Sequence, residues 1–407
     1  MHVLELCYEQ LPPYLKPCFL YFAAFPEGKE IPVWKLFRLW VAEGFVQKTE
    51  SQMLEDVAEG YLLDLINRNL VILAKRRSIG GVKACFIHEL LWDLCRAKAK
   101  DEKFMLKIQH CDEFSTTCHR LCICSSPEQF VMLRPSGPCV CCLLFFASND
   151  ASPGQPSDIS FISQKFQLLR VLDLEGINMG NSFPTGLEIL VLLRYLAVRG
   201  SVDFVPSLIS NLSKLETFIL LGLKHDFDVA LPDTFWSMKR LRHVRVKNSA
   251  TFCLQNCELE NSSQLDNMQT LSSPTLCCRK HTEKILRRLP KLRKLKCIFR
   301  DSRGYSKECD EVPAFELLAY LESLNITVLG KKWSVCKFDF LYNLKKLTLS
   351  RFFLEWRELS TIGRLPNLEV LKLLGGALLG QEWNIRGEFL KLKYLKLENF
   401  NIVQWSV

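Results

Sequence analysis

Three groups of residues in this 407-residue chain have types and spacing that suit chemistry or recognition. The first is Ile87-His88-Glu89, which closes the apolar run Val82 to Phe86 and opens the helical pattern Leu90-Leu91-Trp92-Asp93-Leu94. A histidine between a strand-like run and a helix start has two available jobs. It can cap the helix, or its ring can donate to an anion gathered by the helix N-terminal N–H groups. A zinc-protease helix is excluded, because Trp92 stands where the second histidine of that motif belongs.

The second group is the cysteines, eighteen in all, scattered or directly adjacent as in Cys141-Cys142 and Cys277-Cys278. Cys139, Cys141 and Cys142 lack the two-residue spacing and partner pair of a zinc site. Reduced structural thiols and no metal are therefore expected. No serine, histidine and acid arrangement has supporting context, so catalytic residues are not expected.

The third group is a set of cations interleaved with leucines. It runs Arg242, His243 and Arg245, then Arg293, Lys294 and Lys296, then Lys345 and Lys346, then Lys372, then Lys393 and Lys396. Their meaning depends on the elements that carry them.

Those elements divide near residue 105. Up to there the pattern reads as four helices, a two-stranded wing and a further helix. Leu4 to Gln10 ends a helix whose pattern would extend upstream, and Pro12-Pro13 breaks it. Tyr14 to Phe25 is strongly apolar and stops at Pro26. Pro32 is placed to occupy the first turn of the third helix, which Gly44 ends. Ser51 is the expected cap of the fourth, whose apolar residues Leu54, Val57, Ala58, Tyr61, Leu62, Leu65 and Ile66 recur at steps of three and four. Val71 to Leu73, a basic turn through Gly80-Gly81, and Val82 to Ile87 form the hairpin. This winged-helix arrangement binds DNA in other settings. Here the second and third helices carry few polar side chains to read base edges, and one short basic turn is a thin phosphate footprint, so no nucleic acid is expected.

After a linker over 106–117, one pattern repeats to the end: an apolar residue, two variable ones, an apolar, one variable, an apolar. It starts at Cys118, Val140, Leu169, Leu193, Leu215, Leu241, Met268, Leu292, Leu321, Leu344, Leu368 and Leu392, with gaps of 22 to 29 residues. A period near 24 is the signature of a leucine-rich repeat, each unit giving one short strand of a parallel-sheet horseshoe. The asparagine usual eight positions after each first leucine never appears, so the buried polar ladder is expected to be lost and the solenoid irregular. Val205 to Ile209 and Leu231 to Phe235 look like proline-bearing convex segments. The fold class is thus α+β and multi-domain, a winged helix over 1–105 followed by an irregular α/β repeat solenoid over 118–407. The last repeat has only ten residues after it, and truncation is expected at both ends.

Alternate strand residues face the concave side, which places the cations above on it. That basic stripe is either an ordinary solvated face or a surface for docking an acidic partner. The net charge of +9 favours an acidic partner without reaching the level of a nucleic-acid-binding tail. The N-terminus lacks a basic leader and no apolar run reaches about 18 residues, so a cytoplasmic chain, peripheral at membranes at most, is expected. Three sequons then become chance matches, an extracellular receptor being the alternative.

Four motifs carry a resemblance. Leu15-Lys16-Pro17-Cys18-Phe19-Leu20-Tyr21-Phe22, Phe25-Pro26-Glu27, Leu39-Trp40-Val41-Ala42-Glu43-Gly44-Phe45 and Ile87-His88-Glu89, in this order, resemble the winged helix of plant NB-ARC/leucine-rich-repeat disease-resistance proteins. The late blight resistance subgroup of the nightshades is especially similar. The resemblance implies that His88 matches the histidine of the family's Met-His-Asp motif, which meets the β-phosphate of ADP and holds the resting state. Ile87 and Glu89 depart from that motif. It also implies an intracellular immune receptor, autoinhibited through ADP, whose repeats engage a pathogen effector or a host guard protein and whose winged helix meets the receptor's own nucleotide-binding domain. No G-x-x-x-x-G-K-[ST] occurs, so neither ATPase activity nor ADP or ATP binding is expected of this chain alone. The alternative is a repeat module or decoy that binds proteins without switching.

Overall fold

The computed structural model describes residues 2–49, 52–108, 118–124, 127–146, 158–222, 228–252, 264–277, 279–300, 315–329, 338, 341–352, 354–355, 359–376, 378–379, 382–384, 389–399 and 404–406. The chain divides into two compact units. One comprises 1–202 with 211–223, the other 203–210 with 224–407.

The first unit opens with the four expected helices: α1 (His2–Glu9), α2 (Lys16–Leu20) continued by a 3-10 turn Tyr21–Ala24, α3 (Val33–Glu43) and α4 (Leu54–Asn67). Gly44 ends α3 in the left-handed conformation at φ 85°, a shape glycine adopts without strain. Two starts differ from expectation. Pro32 is the residue before α3, at φ −65° and ψ 119°, because with Ile31 it forms a two-residue strand, β1. Met53 flanks α4 without a side-chain bond, and the expected cap Ser51 lies outside the described residues.

The wing is β2 (Ile72–Arg76) and β3 (Val82–Phe86), with β1 added antiparallel to β3. Lys75 and Arg76 belong to β2, so the turn is shorter than the basic run suggested. Helix α5 (Glu89–Asp101) follows.

Six parallel strands complete this unit: β4 (Leu106–Ile108), β5 (Arg120–Ile123), β6 (Cys142–Phe145), β7 (Val171–Leu174), β8 (Tyr195–Gly200) and β9 (Thr217–Gly222). Helices α6 (Pro127–Leu133) and α7 (Ser160–Lys165) lie between them in sequence. β4 falls inside the segment read as a linker. Too short for the repeat pattern, it pairs Leu106, Lys107 and Ile108 with Leu121, Cys122 and Ile123.

The second unit continues the repeats. β10 (Asp228–Leu231) pairs with β11 (His243–Phe252), and then come β12 (Thr270–Leu276), β13 (Lys294–Arg300), β14 (Ser323–Leu329) and β15 (Lys346–Ser350). Two short parallel pairs, β16 (Leu354–Glu355) with β18 (Leu378–Leu379) and β19 (Glu382–Asn384) with β21 (Gln404–Ser406), accompany the main strands β17 (Val370–Leu374) and β20 (Tyr394–Glu398). Helices α8 (Arg279–Leu286) and α9 (Leu359–Gly363) pack in the connections.

Every one of the twelve predicted repeat starts is followed two residues later by the first residue of a strand. The apolar residues at the start, three and five residues on are buried in all but the last repeat, as at Leu344, Leu347 and Leu349, whereas Leu392, Leu395 and Leu397 are half-buried. Pro206 and Pro232 precede 3-10 turns Ser207–Asn211 and Asp233–Ser237, as read from the sequence. The irregularity is local. Register slips between Arg245 and Ala250 and between Ser272 and Thr275, where Ser273 takes φ 67°.

A different, exposed series of side-chain bonds links some of the repeats. Asn267, Asn343 and Asn367, each one residue before a repeat start, donate from Nδ2 to the carbonyls of Lys239, Ala319 and Tyr342 in the preceding repeat, all at 2.8 Å. Lys391 extends the series by donating to Asn367 Oδ1 at 2.7 Å.

Candidate functional site

His88 is the residue before α5, at φ −66° and ψ 146°, and its Nδ1 accepts from the Leu90 amide at 3.3 Å. It therefore does cap the helix, satisfying one of the N–H groups the first turn leaves over. A ring that accepts through Nδ1 carries its proton on Nε2 when neutral. Capping and donating to an anion are thus compatible in one ring. His88, Glu89 and Leu90 are exposed, whereas Ile87 and Trp92 anchor the segment in the core, Trp92 donating from Nε1 to the Phe25 carbonyl at 3.0 Å.

The surroundings of α3 hold a feature the sequence reading missed. In the first unit the winged helix and the repeat strands share one apolar core. The strand residues that enter it stand two or four positions after each repeat start: Cys142, Val171 and Tyr195 at the second, Cys122, Leu144, Ala197 and Ile219 at the fourth. These are the concave positions, and here they are apolar and covered. Tyr21 Oη lies 3.4 Å from Cys142 Sγ, the Cys122 thiol donates to the Ala24 carbonyl at 3.0 Å, and the rings of Phe25 and Phe146 meet edge to face.

Ion pairs of opposite polarity cross this contact at two places. Lys35 of α3 reaches Asp173 at 2.6 Å and Glu175 at 2.7 Å. Glu43, at the end of α3, accepts from Arg120 Nε at 3.0 Å, and the guanidinium lies over the rings of Phe45 and Phe104. Burial pushes the Asp173 carboxyl up to about 6, against the pull of Lys35 and helped by the nearby Glu175. Lys35, drawn down by burial, still ends above its usual value because both carboxylates face it. Removing either partner of such a pair strands a charge in the core.

In the second unit the expected basic stripe resolves into two structures. Arg242, Arg293, Lys345 and Lys393 stand one residue after a repeat start, just before the strand, where their backbones link successive repeats. Acids alternate with them: Arg293 pairs with Glu322 and Lys393 with Glu369. Two of the four cations on this flank are thus paired from within. The concave rows are different. His243, Lys294 and Lys346 occupy the second position, and Arg245, Lys296, Lys372 and Lys396 the fourth. His243 is buried against Thr270, its Nδ1 3.0 Å from the hydroxyl, so it belongs to the sheet rather than to a free surface. Lys294, Lys296, Lys346 and Lys372 line a single concavity of about 370 Å³.

Residues 24–95 match the family model described as the disease resistance protein winged helix domain, and residues 153–338 match a leucine-rich repeat region. The chain carries a disease-resistance winged helix followed by leucine-rich repeats. It is 38% identical over its full length to a late blight resistance protein homolog of Solanum demissum, R1B-16, covering 32% of that protein. It is 36% identical, again over its full length, to late blight resistance protein R1-A of the same species, covering 32% of it. The chain thus spans about a third of the length of the curated relatives it matches. Among solved structures, the leucine-rich-repeat ectodomain of the Arabidopsis thaliana receptor kinase GASSHO1/SCHENGEN3 is similar over 64% of this chain and 34% of that one, at 17% identity and a TM-score of 0.41.

Within the disease-resistance winged helix, α3 is turned inward, with Val33, Leu36, Leu39 and Trp40 in the core. The cysteines among the described residues are unpaired thiols, most of them buried, with burial raising the values of Cys18, Cys85 and Cys95. Cys122 and Cys124 sit 3.3 Å apart. No group of potential metal ligands occurs among the described residues, and none of their helices is long and apolar enough to cross a membrane.

Proposed function

We propose that this chain is the winged-helix and recognition portion of an intracellular plant immune receptor that is held inactive by bound ADP. The observation that carries the reading is the shared core of winged helix and first repeats, on a background of homology to late blight resistance proteins. In such a receptor the state of the winged helix and the state of the repeats are mechanically linked. Moving α3 away from β5 to β8 breaks the Lys35 and Glu43 pairs together and exposes a continuous apolar face.

His88 is the proposed point of nucleotide control. Its Nδ1 is committed to the α5 cap, which orients the ring and leaves Nε2–H to donate to a phosphate of ADP supplied from the nucleotide-binding domain. The residues supplying the phosphate cradle belong to that domain, so nucleotide is bound by the receptor and not by this portion alone. Exchange of ADP for ATP, or engagement of a pathogen effector or host guard protein by the repeats, then favours the released arrangement by binding it more tightly.

The test uses the complete receptor. His88→Ala is expected to purify with less bound ADP, measured by chromatography of the released nucleotide, than the parent protein. Equal ADP content would remove His88 from the switch. His88→Asn separates the two jobs, because asparagine caps a helix as well as histidine does. It restores stability and not ADP retention.

A further inference from the structure

Cys122, within β5, and Cys124, just after it, bring their sulfurs to 3.3 Å from each other. Residues two apart in an extended strand have Cα atoms about 6.6 Å apart, inside the range of about 4.4 to 6.8 Å that a disulfide spans. The Cys124 amide donates to the Ile108 carbonyl at 3.3 Å, which holds the backbone of the pair against β4. The two thiols differ in setting. Cys122 is fully buried, and its thiol donates to the Ala24 carbonyl at 3.0 Å, across the contact between the winged helix and the first repeats. Cys124 is partly exposed.

Charge separates the two further. Burial raises the thiols of Cys18, Cys95 and Cys122, whereas Cys124 is drawn below the usual thiol value. The hydrogen bond from Cys122 is the main cause; burial opposes it, and the ammonium groups of Lys107 and Lys29 add to it. Lys107 is set over the Trp92 ring, 4.6 Å from its centre. The single hydrogen of Cys122 thus has two acceptors within reach, the Ala24 carbonyl and the Cys124 sulfur. The thiolate, not the thiol, attacks oxidants. A partly exposed cysteine beside cations, with a second thiol in contact, is the arrangement of a reactive cysteine and its resolving partner.

We propose that Cys122 and Cys124 are a redox couple that hydrogen peroxide closes to a disulfide, and that closure removes a hydrogen bond holding the winged helix on the first repeats. The Cys124 thiolate attacks one oxygen of peroxide. An S–O bond forms, the O–O bond breaks, and hydroxide leaves, becoming water with the proton that Cys124 gave up on ionising. The sulfur, oxidised by two electrons, is then a sulfenic acid. The Cys122 sulfur attacks it next: an S–S bond forms, the S–O bond breaks, and hydroxide leaves as water with the Cys122 proton. Two thiols and one peroxide give one disulfide and two waters, and a dithiol reductant reverses the change. The oxidised Cys122 has no hydrogen left to give the Ala24 carbonyl. This rests on the packing of the winged helix against the repeats and not on ADP control at His88, so either fails without the other.

In the test, the purified reduced chain is treated with hydrogen peroxide, its remaining thiols are alkylated, and it is cut with trypsin and a glutamate-specific protease. Cys122 and Cys124 then fall on one peptide, Leu121 to Glu128, which holds no other cysteine. Mass spectrometry is expected to show this peptide unalkylated and lighter by two hydrogens before the exposed Cys139 is oxidised. Cys122→Ala is expected to stop Cys124 at the sulfenic acid, which dimedone traps, and Cys124→Ser to leave Cys122 reduced. Lys29→Gln with Lys107→Gln is expected to slow the oxidation about threefold or more, and the two arginine variants to restore it. Hydrogen exchange reads the consequence. Amides of β5 are expected to exchange about fivefold faster after oxidation, to recover with dithiothreitol, and to be unaffected by peroxide in Cys124→Ser. Oxidation of Cys139 ahead of the pair, or a Cys122 alkylated as fully after peroxide as before it, overturns the couple. A disulfide that leaves the exchange of β5 unchanged overturns its hold on the winged helix.

Discussion

Cys142, Val171 and Tyr195 in the first unit hold the same place in the repeat as Lys294 and Lys346 in the second, and Ala197 and Ile219 the same place as Lys296 and Lys372. The strand geometry is common to both units, yet one set is buried beneath the winged helix and the other borders an open concavity. A repeat protein can therefore bury one row of positions in a core in one stretch and leave the same row lining an open surface in another. The leucines that build the sheet are the same in both and reveal nothing of the division. The residues between them do.

The sharpest way to break the comparison is to exchange chemistry at matched positions. Ala197→Lys gives the first unit what the second carries at Lys296, and burying that ammonium in the shared core is expected to cost about 4 kcal/mol or more. The reverse change, Lys296→Ala, is expected to alter stability by no more than about 0.5 kcal/mol. Chemical denaturation of both variants checks the contrast, and equal costs would erase it.

Next in size is Lys35→Ala, which leaves Asp173 facing Glu175 in the core without a cation and is expected to cost about 3 to 5 kcal/mol. Lys35→Met removes the same charge but refills the volume; a loss as large as that of the alanine variant identifies the stranded carboxylates as the cause.

A smaller effect concerns pH. The Asp173 carboxyl, raised to about 6 by burial, binds its proton more tightly in the folded protein than in the unfolded chain. Its contribution to stability is fully present below the unfolded value and is lost as pH rises through about 6. Denaturation midpoints at pH 7 and pH 5 should show a gain on acidification that Asp173→Asn diminishes. The smallest effect belongs to the exposed series of bonds between repeats. Asn343→Ala removes one exposed bond to the Ala319 carbonyl and is expected to cost about 0.5 to 1.5 kcal/mol.

The repeat strands were legible because an apolar residue, most often leucine, recurs at the start and three and five residues on, with Ser273 the exception. β4 was not, since three residues are too few to show the period. β1 was hidden by Pro32, which reads as a helix starter and serves a strand. The basic stripe was legible as a series of cations but not as two rows, because the pairing of Arg293 with Glu322 and of Lys393 with Glu369 bridges successive repeats far apart in sequence. The covered face was present in the sequence as Val171, Tyr195, Ala197 and Ile219, apolar where most later repeats, Val370 and Tyr394 excepted, are polar. Only the packing of α3 against them shows that the difference means a partner within the chain. At His88 the helix start was readable, whereas the bond from the Leu90 amide to Nδ1, which sets the free nitrogen, was not.

The central claim is that the winged helix and the first repeat strands fold as one body. Native-state hydrogen exchange of the whole chain tests it most directly. Amides of α3 and β3 are predicted to open with the same free energy and denaturant dependence as those of β6, β7 and β8, in a single cooperative step, and Lys35→Ala is predicted to lower both sets together. If α3 and β3 exchange through a separate, lower-energy opening while β6 to β8 stay protected, the winged helix is an independent domain and the account is contradicted.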